Sequence, residues 1–439
     1  MAVDEQPLHP ITRRLQEVHD ELLDDSGGEI RSSIPALQEA DPEQLAVALC
    51  TADGHLHGAG DVEARFTIQS IVKPFVYALA LADSGHDAVL EAVGVEPTGE
   101  AFNALVLEEV TGRPPNPMVN AGAILTGCLV AGDDAEARRA RIRDGVSAFA
   151  GRRLDDDERV SESEKGAGER NRALAWLMKA EGSLPYDVEE ALDVYVFACS
   201  LLVDVRDLAV MGATLAAGGL NPLTGEQVVP ATVDRTVLSV MATCGMYDGA
   251  GRWFTEVGLP AKSGVAGGIV AVQPGQLGIG AFSPRLDEHG NSVRAARACR
   301  LLSDRLGMHE LRPAGKGLPV VAGHERHEGG RLHVLRLQGP LTLRNADEAC
   351  SALLAARTQL LADGGGWLVV DLTGVGWLHE PAVDLLEETV RTVEDAGIRV
   401  RLVDRDRGNS PDWEGSTPNS TEDSLEAAVG ACEEEMART

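Results

Sequence analysis

A serine and a lysine three residues apart open a predicted helix, at Ser70 and Lys73. Three-residue spacing puts both side chains on one helix face, where an uncharged Lys73 could take the proton of the Ser70 hydroxyl. Free amides and the positive end of the dipole at a helix N-terminus favour negative charge developing there. An N-capping serine beside a solvated lysine is the structural alternative, and for this spacing alone it is the commoner one.

A second basic motif, Lys262-Ser263-Gly264, begins a later predicted strand. A lysine can act as a base when burial or a neighbouring cation lowers its pKa, and Lys262 could be that cation for Lys73. Ser-x-x-Lys followed by Lys-Ser/Thr-Gly is typical of active-site serine acyl-transfer enzymes of the penicillin-recognising type. The second motif favours covalent catalysis by Ser70 only modestly, and at this point the N-capping alternative stays open.

Particular elements must position these residues. Apolar residues with helical spacing follow Ser70, and Pro74 falls in the first turn, where proline is tolerated. Runs 45–50 and 64–69 read as strands with a turn at Asp53-Gly54, and 262–283 reads as adjacent antiparallel strands. Helices are predicted near 100–110, 134–149, 169–181, 187–203, 206–217 and 292–306.

Further blocks of sequence surround the two motifs in the order of one known family. They lie at 66–74, 116–124, 161–164, 170–175, 195, 199–200, 243–248, 261–269, 282–284 and 286–293. Together they resemble the serine-dependent glutaminases of bacteria and mitochondria across about residues 30–305. The resemblance implies an α+β catalytic domain of the β-lactamase/transpeptidase type, with a helical cluster against an antiparallel sheet.

The resemblance also implies a reaction and a set of site residues. L-Glutamine is expected to be hydrolysed to L-glutamate and ammonia through a γ-glutamyl-enzyme, without a metal or other cofactor. Ser70 would be the nucleophile and Lys73 its base. The residues expected to line the glutamine site or to assist catalysis are Asn120, Glu164, Asn171, Tyr195, Tyr247, Lys262 and the Val265 amide.

Each assigned role is chemically reasonable, but each residue could instead have a purely structural role. Glu164 suits the substrate ammonium, although Ser161-x-x-Glu164 also fits a helix capping box. Asn120 could donate to a carboxylate or hold a turn, and Tyr195 on an apolar helix could be a core residue. Tyr247 lies in a glycine-bearing segment typical of a site loop.

One position departs from the family pattern. Family members usually carry tyrosine just before Ile-Pro, at a place that borders the substrate, and this chain has Ser33 there. Serine cannot fill an aromatic side chain's volume. We therefore expect lower activity than in a tyrosine-bearing relative.

Composition limits the kinds of binding partner and the cell compartment that we expect for this protein. The formal net charge is −30 over 439 residues, so nucleic acids and anionic membrane surfaces are unfavourable partners. The seven cysteines are scattered without a C-x-x-C pair, and the N-terminus lacks a secretory pattern. The sequence therefore predicts a cytoplasmic protein, and the family resemblance implies a homodimer or homotetramer.

The chain is predicted to contain more than the catalytic domain of residues 1–306. Residues 307–330 read as a linker, and 331–404 as a small α/β domain that resembles a STAS domain. Residues 405–439 read as an acidic, partly disordered tail in which only 422–436 is weakly helical. The stretch His379-Glu380-Pro381-Ala382 lacks the serine that STAS regulators phosphorylate. We expect a docking or regulatory module with an unknown protein partner.

Two other functions fit parts of this pattern. A penicillin-binding protein or β-lactamase would use the same Ser-Lys chemistry, but such enzymes normally work outside the cytoplasm. A STAS-containing regulatory protein with a decayed glutaminase domain is the other alternative. The retained catalytic and binding residues argue against it, while Ser33 argues for it.

Overall fold

The computed structural model describes residues 8–30, 34–99, 104–312, 319–378, 380–404 and 421–438. The chain divides into two compact units, Met1–Arg312 and Pro313–Thr439. Both units mix helices and strands, which agrees with the predicted α+β class. In the described ranges no helix combines the length and apolar character that a membrane span requires.

The first unit contains more helix than strand. Its strands are β1 (Ala46–Thr51), β2 (Leu56–Gly60), β3 (Phe66–Thr67), β4 (Leu202–Val203), β5 (Ala261–Ser263), β6 (Gly268–Gln273) and β7 (Leu277–Phe282). Its helices are α1 (Pro10–Leu22), α2 (Lys73–Ser84), α3 (His86–Ala92), α4 (Asn120–Leu129), α5 (Ala135–Ala150), α6 (Glu158–Gly166), α7 (Glu169–Ala180), α8 (Val188–Cys199), α9 (Val205–Ala216), α10 (Ala231–Cys244), α11 (Ala250–Glu256) and α12 (Val293–Leu306).

An antiparallel sheet of order β2-β1-β7-β6-β5 forms the centre of the first unit. Side chains alternate between its faces because successive residues of a strand point in opposite directions. Val47 and Leu49 belong to the core cluster that also contains residues of α1 and α12. Ala46 and Ala48 belong to the larger cluster that includes α2, α4, α5, α8, α9 and α10. The sheet is therefore buried on both faces, and the catalytic motifs lie on the side of the large helical cluster.

Helix α9 lies directly on β7 because two glycines of that strand leave room for it. A Cβ atom at Gly278 would lie 2.2 Å from the backbone nitrogen of Ala213, and one at Gly280 would lie 2.1 Å from the carbonyl oxygen of Val205. Both separations are far below van der Waals contact. No larger residue fits at either position unless helix and sheet separate.

The second unit contains a mixed five-stranded sheet. Its elements are β8 (Val321–His327), β9 (Leu332–Leu341), α13 (Leu343–Ala362), β10 (Trp367–Leu378), α14 (Glu380–Glu394), β11 (Arg399–Val403), β12 (Thr421–Glu422) and α15 (Leu425–Ala437). The order is β12-β11-β10-β9-β8, with an antiparallel β8–β9 pair and parallel pairs elsewhere. Helices α13 and α14 share one core cluster with the sheet, and α15 shares another. The resemblance to STAS domains stays a prediction.

Several expectations about elements differ from the structure. The predicted linker contains β8, because Val321–His327 pairs in register with β9. The predicted tail contains β12 and α15, with Ala428 and Cys432 fully buried. The weak helix predicted over 422–436 is confirmed by α15. That α15 packs against the sheet and that the polar β8 pairs with β9 are tertiary effects that local composition does not reveal.

Some predicted strands and helices of the first unit also differ from the structure. The hairpin partner of β1 is β2, whereas the run at 64–69 contributes only the short β3, which pairs with β4. Residues 104–110 of the predicted helix near 100–110 are not helical, and its other residues lie outside the described ranges. Helices α4 and α10 were not predicted. Helix α4 is buried on almost every side, so the polar–apolar periodicity that marks a surface helix is weak there. Helix α10 buries one face, and its periodicity was not recognised.

Candidate active site

The turn that carries Ser70 is tightly constrained. A 3-10 turn, Gln69–Val72, leads into α2, and Gln69 has a left-handed φ of 49°. Such a conformation is unfavourable for a residue with a side chain and is found mostly where the surroundings enforce it, often at functional sites. Ser70 is only 6% exposed. The serine is therefore held in a fixed place at the start of α2.

Lys73, one turn further, is 1% exposed. Its Nζ donates to the carbonyl oxygen of Met118 at 3.0 Å and to Asn120 Oδ1 at 2.7 Å, and not to the Ser70 hydroxyl. Burial lowers the pKa of Lys73 to about 8. With this pKa, about a tenth of Lys73 is uncharged at pH 7, and the uncharged form can act as a general base.

Asn120 lies at the N-terminus of α4 and joins three other predicted site residues. Its Oδ1 accepts from Lys73 and, at 3.4 Å, from the Tyr195 hydroxyl. Its Nδ2 donates to Asn171 Oδ1 at 2.8 Å. A single amide thus connects α2, α4, α7 and α8 at the site.

Tyr247 and Lys262 form a second pair. Lys262, fully buried on β5, donates from Nζ to the Tyr247 hydroxyl at 2.6 Å and to the carbonyl oxygen of Ser263 at 2.7 Å. Its Nζ also lies 3.8 Å from the centre of the Tyr247 ring. Burial, and to a smaller extent the charge of Lys73, keeps the pKa of Lys262 well below its usual value.

The Tyr247 hydroxyl also faces Ser70. Burial raises the pKa of Tyr247, and hydrogen bonding from the Ser70 side chain opposes that rise. The three groups therefore form a short polar chain, from Ser70 through Tyr247 to Lys262.

Glu164, in the last turn of α6, is 6% exposed. Its Oε2 has no hydrogen-bond partner. Burial raises the pKa of Glu164 to about 7, while hydrogen bonding from Gln69 and the charge of Lys73 act in the opposite direction. A buried carboxylate with an unfilled acceptor is suited to bind a cationic group of a ligand.

A cavity of about 310 Å³ adjoins this carboxylate. It lies between α6, α7 and α8 and is lined by Glu164, Lys165, Gly168, Asn171, Arg172, Glu189, Leu192, Asp193 and Val196. Glu164 and Asn171 are the predicted site residues in this lining. The cavity therefore borders the predicted site at these two residues, and Ser70 and Lys73 are not part of its lining.

The Val265 amide belongs to the tight connection between β5 and β6. Gly264 N donates to the carbonyl oxygen of Gly268, and Gly267 N donates to that of Gly264. A Cβ at Gly264 would lie 3.0 Å from the carbonyl oxygen of Ile68, in the residues that lead into Ser70. The connection therefore packs against the backbone of the serine turn, where an oxyanion hole would need its amides.

The structure thus gathers the predicted side chains of the first unit around Ser70. Two neighbours were not assigned a role from the sequence. Gln69 contacts Glu164, and its position directly before the serine was the available signal. The buried thiol of Cys199 lies near Lys73, Glu164 and Tyr195, and a cysteine one helical turn after Tyr195 was the signal there.

Two further predictions concern what the site lacks. In the ranges that the structure describes, no cluster of three His, Cys, Asp or Glu side chains is arranged to hold a metal ion. That the reaction needs no cofactor stays a prediction. Ser33 and His379 lie outside the described residues, so the expectations attached to them also stay predictions.

Comparison with known proteins identifies the family. The sequence profile of the family described as glutaminase matches residues 28–310. A glutaminase of Clavibacter michiganensis subsp. michiganensis is 56% identical over 292 residues, which are 66% of this chain and 90% of the relative. A glutaminase of Corynebacterium efficiens is 44% identical over 402 residues, 90% of this chain and 93% of the relative.

A solved structure extends the similarity to the fold. The crystal structure of Mglu in its glutamate form has 40% sequence identity and a TM-score of 0.82, and the match covers 93% of this chain and all of that chain. The match is therefore not confined to the first unit. With a family profile matching more than half of its residues and relatives this similar over most of its length, the chain belongs to the glutaminase family of enzymes.

Proposed function

We propose that this protein hydrolyses L-glutamine to L-glutamate and ammonia, with Ser70 as nucleophile and Lys73 as its base. Relatives named glutaminase support the substrate. The observation that carries the mechanism is the pair of buried lysines beside Ser70, neither of which donates a hydrogen bond to a carboxylate. Without a counter-ion, desolvation lowers a lysine's pKa and makes it a base.

The charged ends of glutamine need complementary groups. Glu164 would pair with the α-ammonium through the carboxylate oxygen that lacks a partner. Asn120 and Asn171 carry amide groups that can donate to the α-carboxylate once they exchange their mutual hydrogen bond for the substrate. These contacts would place the carboxamide carbon at Ser70.

In the acylation step, Lys73 Nζ gives up its hydrogen bond to Asn120 Oδ1 and forms one with the Ser70 hydroxyl. Its flexible stem allows Nζ to turn toward the serine, which lies one helical turn away. The Ser70 proton passes to Lys73 while Oγ bonds to the carboxamide carbon. The oxygen that gains negative charge is stabilised by the Ser70 and Val265 amides.

Ammonia leaves when the C–N bond breaks and the nitrogen takes up a proton. Tyr247 is placed to supply it, because its hydroxyl lies between Ser70 and Lys262. Water then attacks the γ-glutamyl ester in the reverse order. The attacking water gives a proton to Tyr247, and Lys73 returns its proton to Ser70 Oγ. Glutamate and free Ser70 result.

Ammonia release by the purified protein tests this function. Ser70→Ala should lower kcat by at least ~10³-fold because the covalent path is lost. Ser84→Ala, at the exposed far end of α2, is the matched control and should behave as the unaltered protein. A Ser70→Ala protein that keeps more than a tenth of the activity would exclude Ser70 as the nucleophile.

A further inference from the structure

The block 286–293 was part of the family resemblance, but no role was assigned to it. Its backbone forms a rigid turn around Asp287. The Asp287 amide donates to the carbonyl oxygen of Asn291 at 2.8 Å, and Asp287 Oδ1 accepts from the amides of His289 and Asn291 at 2.9 Å each. A side chain held by this turn keeps its direction.

This turn packs against the segment that carries Tyr247. His289 Nδ1 lies 3.1 Å from Asp248 Oδ2, directly beside Tyr247 in the chain. Asn291 is buried, with its Nδ2 3.9 Å from the position of a Cβ at Gly249. His289 thus contacts Asp248 of the 3-10 turn Tyr247–Gly249 directly, and Asn291 lies close to Gly249 of the same turn.

Tyr247 needs such support because its φ is 54°. A non-glycine residue persists in this left-handed conformation only when its surroundings enforce it. One constraint comes from Gly245, where a Cβ would lie 1.9 Å from the carbonyl oxygen of Ala261, so the end of α10 is fixed against the strand of Lys262. The turn at Asp287 is the constraint on the other side.

We propose that His289 is a positioning residue: through Asp248 it holds the strained turn that aims the Tyr247 hydroxyl at Ser70 and Lys262. The inference rests on the proposed role of Tyr247 in catalysis. His289 and Asp248 are both exposed, so their contact adds little to global stability. Its effect is local, on the orientation of one side chain.

Variants at both ends of the contact test the proposal. His289→Ala and Asp248→Ala should each lower kcat about 5-fold with KM within 2-fold, because the contacts proposed for the α-ammonium and α-carboxylate of glutamine do not involve this turn. The double variant should lose no more than either single one, since both remove the same contact. His289→Asn, which keeps a nitrogen near the Nδ1 position, should restore at least half of kcat.

Glu288→Ala is the matched control. Glu288 is exposed and lies 3.6 Å from the other ring nitrogen of His289, so its removal leaves the contact with Asp248 intact. Its kcat should equal that of the unaltered protein. Unchanged kcat in His289→Ala, or losses that multiply in the double variant, would overturn the proposal.

A second measurement does not depend on catalysis. The chain has only four tyrosines, so ¹³Cζ-tyrosine NMR with Tyr247→Phe for assignment isolates the Tyr247 signal. That signal should shift in His289→Ala and not in Glu288→Ala. An unmoved signal would refute the positioning role. A shifted signal in a protein that releases no ammonia would instead support the positioning role and refute the proposed function.

Discussion

Both units bury basic side chains, and they treat them in opposite ways. In the first unit, Lys73 and Lys262 donate their hydrogen bonds to neutral oxygens. In the second unit, Arg401 donates to Glu422 at 2.9 Å and to Glu435 at 2.5 Å, and its guanidinium lies 4.9 Å from the centre of the Trp367 ring. The buried cation is therefore hydrogen-bonded to carboxylates in the second unit and only to neutral oxygens in the first.

This difference distinguishes a basic group that can react from one that holds secondary-structure elements together. A buried charge with partners joins elements, and here Arg401 joins β11 to β12 and α15. A buried charge without a counter-ion lowers stability, but its depressed pKa makes it reactive. The first unit therefore gives up stability at the place where the reaction would occur.

The largest effect is expected from Lys73→Met. Activity should fall by ~10³-fold or more because the base is removed. Stability should rise at pH 7, since methionine fills a similar space without a charge to desolvate. Ammonia release and thermal unfolding between pH 7 and 10.5 measure both consequences.

The sign of the stability change follows from the pKa of Lys73, about 8 against a usual value of 10.5. Below pH 8 both states hold the proton, so the folded state bears the whole penalty, roughly 3 kcal/mol. As pH rises from 8 to 10.5 the folded state no longer bears that charge, and the advantage of methionine disappears. Lys179→Met, an exposed lysine, is the control and should change neither quantity. Destabilisation by Lys73→Met at pH 7 would contradict the comparison.

Glu164→Gln should have the next largest effect. It removes the carboxylate proposed to bind the ammonium, and a charge-assisted hydrogen bond in a buried site contributes about 2–3 kcal/mol. KM should therefore rise about 100-fold, with kcat within a few-fold. Steady-state kinetics measure this, with the exposed Glu162→Gln as control. A selective loss of kcat would mean that Glu164 takes part in the chemistry instead.

Arg401→Met should have the smallest effect on activity and should act on stability alone. It leaves Glu422 and Glu435 without this partner, but both are partly exposed, so we expect a loss of about 1–2 kcal/mol. Hydrogen exchange of the α15 amides should quicken while kcat stays constant. Arg399→Met changes a more exposed cation over the same ring and should have less effect. Equal effects of the two variants would show that burial of Arg401 is not what matters.

The sequence predicted the members of the site better than their contacts. Ser70, Lys73 and Glu164 were identified by motif and resemblance, and side-chain type limits what each can do. The hydrogen bond from Lys73 to Asn120 could not be predicted, because it depends on how α4 packs against α2. Burial and a neighbouring cation such as Lys262 were the two possible causes of a lowered pKa of Lys73, and the structure favours burial.

In the fold as well, elements with a local sequence signal were predicted and elements that depend on tertiary packing were not. Strands β5, β6 and β7 were predicted because glycines and β-rich runs mark them locally. Helix α15 was predicted as a weak helix over 422–436, but neither it nor the polar strand β8 was predicted to pack in the second unit, since partners distant in the chain fix both. Strain at Gln69 and Tyr247 has no sequence signal, because neither residue type favours the left-handed region.

The contact between α9 and β7 at Gly278 and Gly280 also bears on motion. Helix and strand meet there without intervening side chains, so neither can slide or tilt against the other without a backbone collision. We therefore expect α9 and β7 to move together as one rigid body. Any movement that opens the first unit must therefore occur away from this contact between α9 and β7.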